Sequence, residues 1–525
     1  MATIGRSAGR APSATVRIPA RTDLDVRVSG GIVRGVRDGS TLAWRGIHYA
    51  APPVGELRFR GPAKVIPWTG VRDASRYGQV APQLHYGQFR GASPKIPAGE
   101  DCLTINVLAP AERSLPLPVM VFIHGGGYSA GSSQDFPGQG ESFVGSGRVV
   151  YVSFNYRLGA LGWLHFGKYS TPERPIENNL GLRDQVAAFE WVRDNIAAFG
   201  GDPGNVTIFG ESAGGNSVTT LMATPSARGL FARAIAQSPP ANAVYSRELA
   251  DGWAEAFVDI LRSRAAVGKS SNPPASLITS ATVAQLTRAA LTLQIGSPDL
   301  NPGTFCLAPV VDGGFLPQHP IAAFRSGDVA RVPLIIGTND REGSLFRGRI
   351  DILPRTPTRI RALIRHAPPG SRPAMRAAYP GLPAARPAAD FAGDYAFWYP
   401  SALVADRHSR SAPVHVYRFD IAPRLVRLLG LDATHGIELL TLFDRADTPL
   451  VKTMTVLGGR EQFTSAGDRM RLRWIQFATD GTVAEDWPPY LEDDRATLII
   501  DQVDRVEADP RGERRRAWAA FLPAV

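Results

Sequence analysis

Cysteine is nearly missing from this chain: two occur in 525 residues, Cys102 and Cys306. Two cannot form a disulfide framework, so stability has to come from a packed interior. A hydrophobic fraction of 44% with 20% charged residues is sufficient for one. Long apolar runs are missing as well. No stretch approaches the roughly 18 residues of a membrane-spanning helix. Met1 to Arg21 are rich in Ala, Arg, Pro and Gly and contain no apolar core of a Sec signal peptide, so the cytoplasm is the expected compartment. Lysine is scarce too. The net charge of +10 is carried almost entirely by arginines scattered along the chain, the one short run being Arg514-Arg515-Arg516. With no zinc-finger spacing, RNA-binding signature or basic heptad, that pattern describes a solvated surface and not a nucleic-acid partner.

The order of the remaining features is informative. Residues 1–24 read as a flexible arm, and residues 25–525 as one large domain, since no linker divides them. Short alternating runs between Asp25 and Ala51, punctuated by Gly30-Gly31 and Asp38-Gly39, predict a small antiparallel meander. Residues 52–100 are loop-rich. A β–α rhythm then begins, with apolar strands predicted at 118–123 and 148–154. A helix is expected over 180–199, where Leu182, Val186, Phe189, Val192, Ile196 and Phe199 form one stripe. Further strands are predicted at 206–209, 232–237, 332–337, 414–419 and 497–500, with helical, Pro-punctuated insertions at about 245–300 and 350–410. Such alternation predicts an α/β fold: a large, mostly parallel central sheet with helices on both faces and the insertions over the site.

The chemistry centres on Phe209-Gly210-Glu211-Ser212-Ala213-Gly214-Gly215, between a β-branched strand and a helix-forming run. Gly-x-Ser-x-Gly in that setting is a nucleophile elbow, with the serine on a tight, strained turn at a helix N-terminus. A serine is a poor nucleophile unless an imidazole takes its proton, and that imidazole needs a carboxylate to set its tautomer. Upstream, His124-Gly125-Gly126-Gly127 follows the strand at 118–123. Bare glycine N–H groups there suit an oxyanion hole, with Gly126, Gly127 and Ala213 as donors. The histidine should come last in the chain, and by order alone His408, His415 and His435 all qualify. His415 lies inside a strand pattern, and His408 reads as an exposed helix end. For the acid, both Asp340 and Glu342 follow a strand, and spacing does not separate them.

The chain resembles the type-B carboxylesterase and cholinesterase family of α/β hydrolases from about residue 28 to 520. The resemblance rests on Gly46-Ile47-His48-Tyr49-Ala50, Pro52-Pro53-Val54-Gly55, Leu57-Arg58-Phe59 and Glu100-Asp101-Cys102-Leu103. It extends through His124-Gly125-Gly126-Gly127, Asn155-Tyr156-Arg157-Leu158-Gly159, Asn179-Leu180-Gly181-Leu182, Phe199-Gly200-Gly201-Asp202-Pro203 and the elbow. It implies Glu342 as the acid, from a Glu-Gly pair after the strand, and His435 as the base. It also implies a supporting electrostatic role for Glu211. Ala81 stands where the family usually has a cysteine that bridges to the position of Cys102, so Cys102 is expected as a free buried thiol, in keeping with a reducing compartment. His48 replaces a family proline. The loop at 81–102 holds Tyr86 and Phe89 but no Trp for a quaternary ammonium, which argues against choline esters.

The expected protein is therefore a serine hydrolase that cleaves small-molecule carboxylic esters through an acyl-enzyme, without cofactor or metal. Amide, carbamate or thioester hydrolysis at the same site is the alternative, followed by a non-catalytic binding role. Oligomeric state is not legible.

Overall fold

The computed structural model describes residues 24–86, 91–112, 116–135, 139–264 and 271–522. The expected arm at 1–24 lies outside these residues apart from Leu24, as does Phe89. An 11-stranded mixed sheet forms the centre. Its strands in chain order are β1 (Val36–Asp38), β2 (Thr41–His48), β3 (Thr104–Pro110), β4 (Leu117–Ile123), β5 (Val150–Phe154), β6 (Gly201–Glu211), β7 (Arg233–Gln237), β8 (Leu334–Asn339), β9 (Val414–Phe419), β10 (Ala496–Ile500) and β11 (Arg505–Ala508). Their spatial order is β11-β10-β9-β8-β7-β6-β4-β5-β3-β2-β1. The seven strands from β10 to β5 run parallel, and the strands beyond them at each edge are antiparallel.

The strand sequences explain this arrangement. In β4, Val119, Val121 and Ile123 pack into one apolar cluster, and Met120 and Phe122 into a second on the opposite face. Period-two alternation with both faces apolar requires cover on both sides. On the first face lie helices α1 (Leu180–Asn195) and α2 (Ala213–Met222), presenting Val186, Phe189, Val218 and Leu221. Helix α1 passes into a tighter turn over Ile196–Phe199 and stops where Gly200 adopts φ +88°. The other face is covered by Phe463, Met470, Trp474 and Phe477 of the helix Arg460–Asp480.

The insertions are helical as predicted, over 247–263, 274–280 and 283–300 and then at 357–366, 372–378, 385–393 and 399–408. Among the described residues no helix is long and apolar enough to cross a membrane.

The structure corrects two local expectations. Residues 25–51 are not one meander. Asp25–Val28 and Gly31–Arg34 pair with each other and with Val71–Asp73 in a separate three-stranded sheet, whereas β1 and β2 join the central sheet. Gly35 lies between the two hairpins, where a Cβ would sit 2.6 Å from the carbonyl oxygen of Ala43. The buried strand β3 was not singled out by the sequence patterns, although all seven of its residues are interior.

Candidate active site

The end of β6 and the start of α2 meet at Ser212, whose backbone stands at φ +58°, ψ −122°. A non-glycine residue there is strained by roughly 1–3 kcal/mol, a cost the surroundings must offset. Its N–H donates to the Gln237 carbonyl at 3.0 Å, and its own carbonyl accepts from Asn216 N–H at 2.8 Å. Gly210 and Gly214 make the turn possible. A Cβ on either would lie within 2.6 Å of the Ile123 carbonyl oxygen, at 2.1 Å for Gly214.

Three segments distant in sequence converge on this serine. His435, in the loop after β9, places Nε2 2.9 Å from Ser212 Oγ and Nδ1 2.6 Å from Glu342 Oε2. Glu342, in the turn after β8, uses its other oxygen to accept from Ser238 Oγ–H and from the Asn339 backbone N–H, each at 2.6 Å. The rings of Phe397 and Phe346 pack against the imidazole at 4.4 and 5.2 Å. The loops that carry Glu342 and His435 are tied together. Arg341 N–H donates to the Ala433 carbonyl, Arg341 Nη1 contacts Asp432 at 2.7 Å, and Asn339 Nδ2 donates to the Thr434 carbonyl.

The rival residues lie elsewhere. Asp340 points away from the serine, toward Arg511 at 2.7 Å and Arg418 at 3.7 Å. Its carboxyl lies below the usual carboxylate range because those guanidiniums, with Arg341, outweigh its burial. His408 is not an exposed helix end. It is fully buried, with Nε2 2.8 Å from the Val332 carbonyl, because its helix packs against the sheet. His415 sits in β9 beside Trp487. Both cysteines are free and buried. His48, at the end of β2, contacts Asp101 at 2.8 Å without disturbing the pairing with Thr104.

Two further carboxyls approach His435. Glu211 Oε1 is 3.2 Å from His435 Nε2. Glu438, fully buried three residues after His435, accepts from Asn339 Nδ2 at 2.5 Å and from Gln237 Nε2 at 3.4 Å. Burial drives the carboxyls of Glu211 and Glu438 upward. For His435, burial disfavours the charge, but Glu211 and then Glu342 outweigh it and the imidazole is raised. Ser238, Asn339 and the placement of Glu438 were not predicted. The one available signal was Glu438 in the run His435-Gly436-Ile437-Glu438-Leu439.

The glycine loop lies across the serine. Gly126 and Gly127 adopt φ +108° and +59°, and a Cβ on Gly126 would lie 2.2 Å from the Ala130 carbonyl oxygen. His124 stacks on Tyr156 at 4.3 Å, and burial lowers its pKa to about 4, leaving it neutral. Ala213 opens α2, so its N–H has no acceptor within the helix. Gly127, Ser212 and Ala213 face a cavity whose other walls include Phe305, Leu307, Phe346 and Phe397. Among the described residues, no charged side chain lines it. Among the described residues, no group of three or more His, Cys, Asp or Glu side chains is arranged to hold a metal ion.

A strained serine between strand and helix, a glycine-rich loop at the end of the neighbouring strand and a largely parallel sheet define an α/β hydrolase. The sequence pattern of the Carboxylesterase family matches residues 22–362. The chain is 35% identical to the para-nitrobenzyl esterase of Bacillus subtilis (strain 168), over 93% of this chain and 96% of that one. With the fumonisin B1 esterase of Sphingopyxis macrogoltabida it shares 31% identity, covering 90% of this chain and 86% of the relative. The solved structure of a thermophilic PNB esterase superposes with a TM-score of 0.83 at 33% identity, covering 94% of this chain and all of that one. The chain belongs to the carboxylesterase family and is a carboxylic ester hydrolase.

Proposed function

We propose that Ser212, His435 and Glu342 carry out the ester hydrolysis, with Gly126, Gly127 and Ala213 as oxyanion donors and Glu211 as an electrostatic support. The observation that carries this reading is the unbroken relay Ser212 Oγ–His435–Glu342, at 2.9 and 2.6 Å. As Ser212 Oγ attacks the ester carbonyl, its proton passes to His435 Nε2, and Glu342 stabilises the resulting imidazolium through Nδ1–H. The carbonyl oxygen becomes an oxyanion opposite the N–H donors, each of which contributes about 3–4 kcal/mol. Collapse breaks the C–O bond, and His435 returns the proton to the leaving alkoxide. Water, deprotonated by the same Nε2, then attacks the acyl-enzyme and releases the acid and Ser212.

Aryl and benzyl esters are the first substrates to test, following the para-nitrobenzyl esterase relative. The fold of residues 25–525 as one unit and a cytoplasmic location complete the reading. Ser212→Ala and His435→Ala should each abolish turnover of p-nitrophenyl acetate, to a similar extent because the pair acts together. Labelling by a fluorophosphonate probe should be lost in Ser212→Ala. Retained turnover by a folded Ser212→Ala protein would refute the assignment, and a matched panel of amides tests whether the site prefers esters.

A further inference from the structure

The proposed oxyanion donors come from two segments, Gly126 and Gly127 from the glycine loop and Ala213 from the first turn of α2. To act together, their N–H groups must lie within about 3 Å of one oxygen. Glycines do not hold such a register by themselves, because many backbone conformations are open to them. Tyr128, the next residue, is held firmly. Its backbone stands at φ +57°, uncommon for an aromatic residue, and its buried ring stacks on Trp163 at 3.8 Å. Its hydroxyl donates to Asn216 Oδ1 at 2.5 Å and lies 3.3 Å from Ser217 Oγ. Among the described residues, these are the hydrogen bonds that join residues 124–131 to α2.

Asn216 is equally constrained. It is fully buried near the start of α2, although asparagine is a poor helix former. Its backbone N–H donates to the Ser212 carbonyl at 2.8 Å, and its Nδ2 donates to the Pro240 carbonyl at 2.7 Å. With the amide nitrogen committed, Oδ1 has to face Tyr128. The bond thus runs from the neighbour of Gly127 to a residue three beyond Ala213.

We propose that Tyr128 and Asn216 are positioning residues for the ester hydrolysis. Their hydrogen bond sets the glycine loop against α2, so that the N–H groups of Gly126, Gly127 and Ala213 point at the same oxyanion. The inference rests on these three being the donors. An oxyanion leans on all three more heavily than the ester carbonyl does, so a displaced loop costs more in the transition state than in substrate binding.

The test compares Tyr128→Phe, which keeps the ring and removes the hydroxyl, with Asn216→Leu and the double variant. With p-nitrophenyl acetate, kcat should fall about ten- to a hundredfold in Tyr128→Phe, less than for a whole missing donor, with KM changed by less than about threefold. An aryl trifluoromethyl ketone reads the oxyanion directly. Ser212 Oγ adds to its carbonyl carbon, the hydroxyl proton passes to His435, and the carbonyl oxygen becomes the oxyanion. Its Ki should rise by the factor by which kcat/KM falls, while that of the matching methyl ketone, which stays unreacted, holds constant. The double variant should lose no more than the more damaged single one, because the pair acts as a unit. Urea denaturation reports loss of stability, which by itself would not separate the two ketones. A folded Tyr128→Phe enzyme with parental kcat and trifluoromethyl ketone affinity overturns the proposal, as does an equal loss of affinity for both ketones. Losses that multiply in the double variant overturn it too. If the unmodified enzyme binds the trifluoromethyl ketone no more tightly than the methyl ketone, the reading of Ser212 and its donors fails, and the proposal with it.

Discussion

The glutamate of the relay can be tested by one atom exchange, Glu342→Gln. Glu342 Oε1 is held by two donors, Ser238 Oγ–H and Asn339 N–H, so the amide oxygen of a glutamine has to occupy that position. The NH₂ group then faces His435 Nδ1, where Oε2 accepted a bond at 2.6 Å. A donor facing Nδ1 makes that nitrogen an acceptor and moves the ring proton to Nε2. There it blocks transfer from Ser212 Oγ, and the stabilising negative charge is lost as well. The same inversion at the carboxylate of a serine protease triad lowers kcat by about 10⁴, and the geometry here predicts a similar loss of about 5 kcal/mol in transition-state stabilisation. Initial rates with p-nitrophenyl acetate measure the loss, and circular dichroism checks the fold. Asp340→Asn is the control. Its carboxylate faces Arg511 and Arg418, so kcat should stay close to that of the unmodified enzyme. A folded Glu342→Gln enzyme that loses less than about tenfold, or an Asp340→Asn enzyme that loses as much, would refute the argument.

Because Glu211 raises the His435 pKa, Glu211→Gln should lower it. In the proposed mechanism His435 acts as a base only when neutral, so the acid limb of the kcat/KM profile should move to lower pH. A shift upward, or none, would show that Glu211 carries no charge in the working enzyme. Arg157 and Asp184 form a buried bidentate pair at 2.6 and 2.8 Å, Arg157 being 2% and Asp184 0% exposed. Arg157→Met leaves a buried carboxylate unpaired and should cost about 3–5 kcal/mol in urea denaturation, with Asp184→Asn in the same chain restoring part of it. An Arg157→Met protein as stable as the parent would contradict this.

Much of the fold was legible because its strands are buried on both faces and read as continuous apolar runs. β4, β5, β8 and β9 fall within two residues of where the sequence puts them. The edges were less legible. β3 alternates only over Thr104-Ile105-Asn106-Val107 before Leu108 and Ala109 break the pattern, and the chain from 25 to 51 carries two hairpins whose separation depends on which sheet each one joins. Antiparallel pairing with a distant partner leaves little local trace. His408 shows the same limit. Its polar neighbours suggest a solvent-facing helix end, and its burial comes from the packing of that helix on the sheet.

The candidate site divides along the same line. The elbow around Ser212 and the glycines at 125–127 are each contiguous in the chain. Their chemistry is set by small residues that let backbone approach backbone, and the sequence by itself determined them. Glu342 lies 93 residues from His435, and Ser212 lies 223 residues from it. Which of two carboxylates turns inward depended on where Ser238, Asn339, Arg418 and Arg511 stand. The ring of carboxyls around the imidazole exists only once distant segments pack. Hydrogen bonds, charge coupling and cavity walls act across space over a few ångströms, and only the tertiary structure decides which side chains come that close.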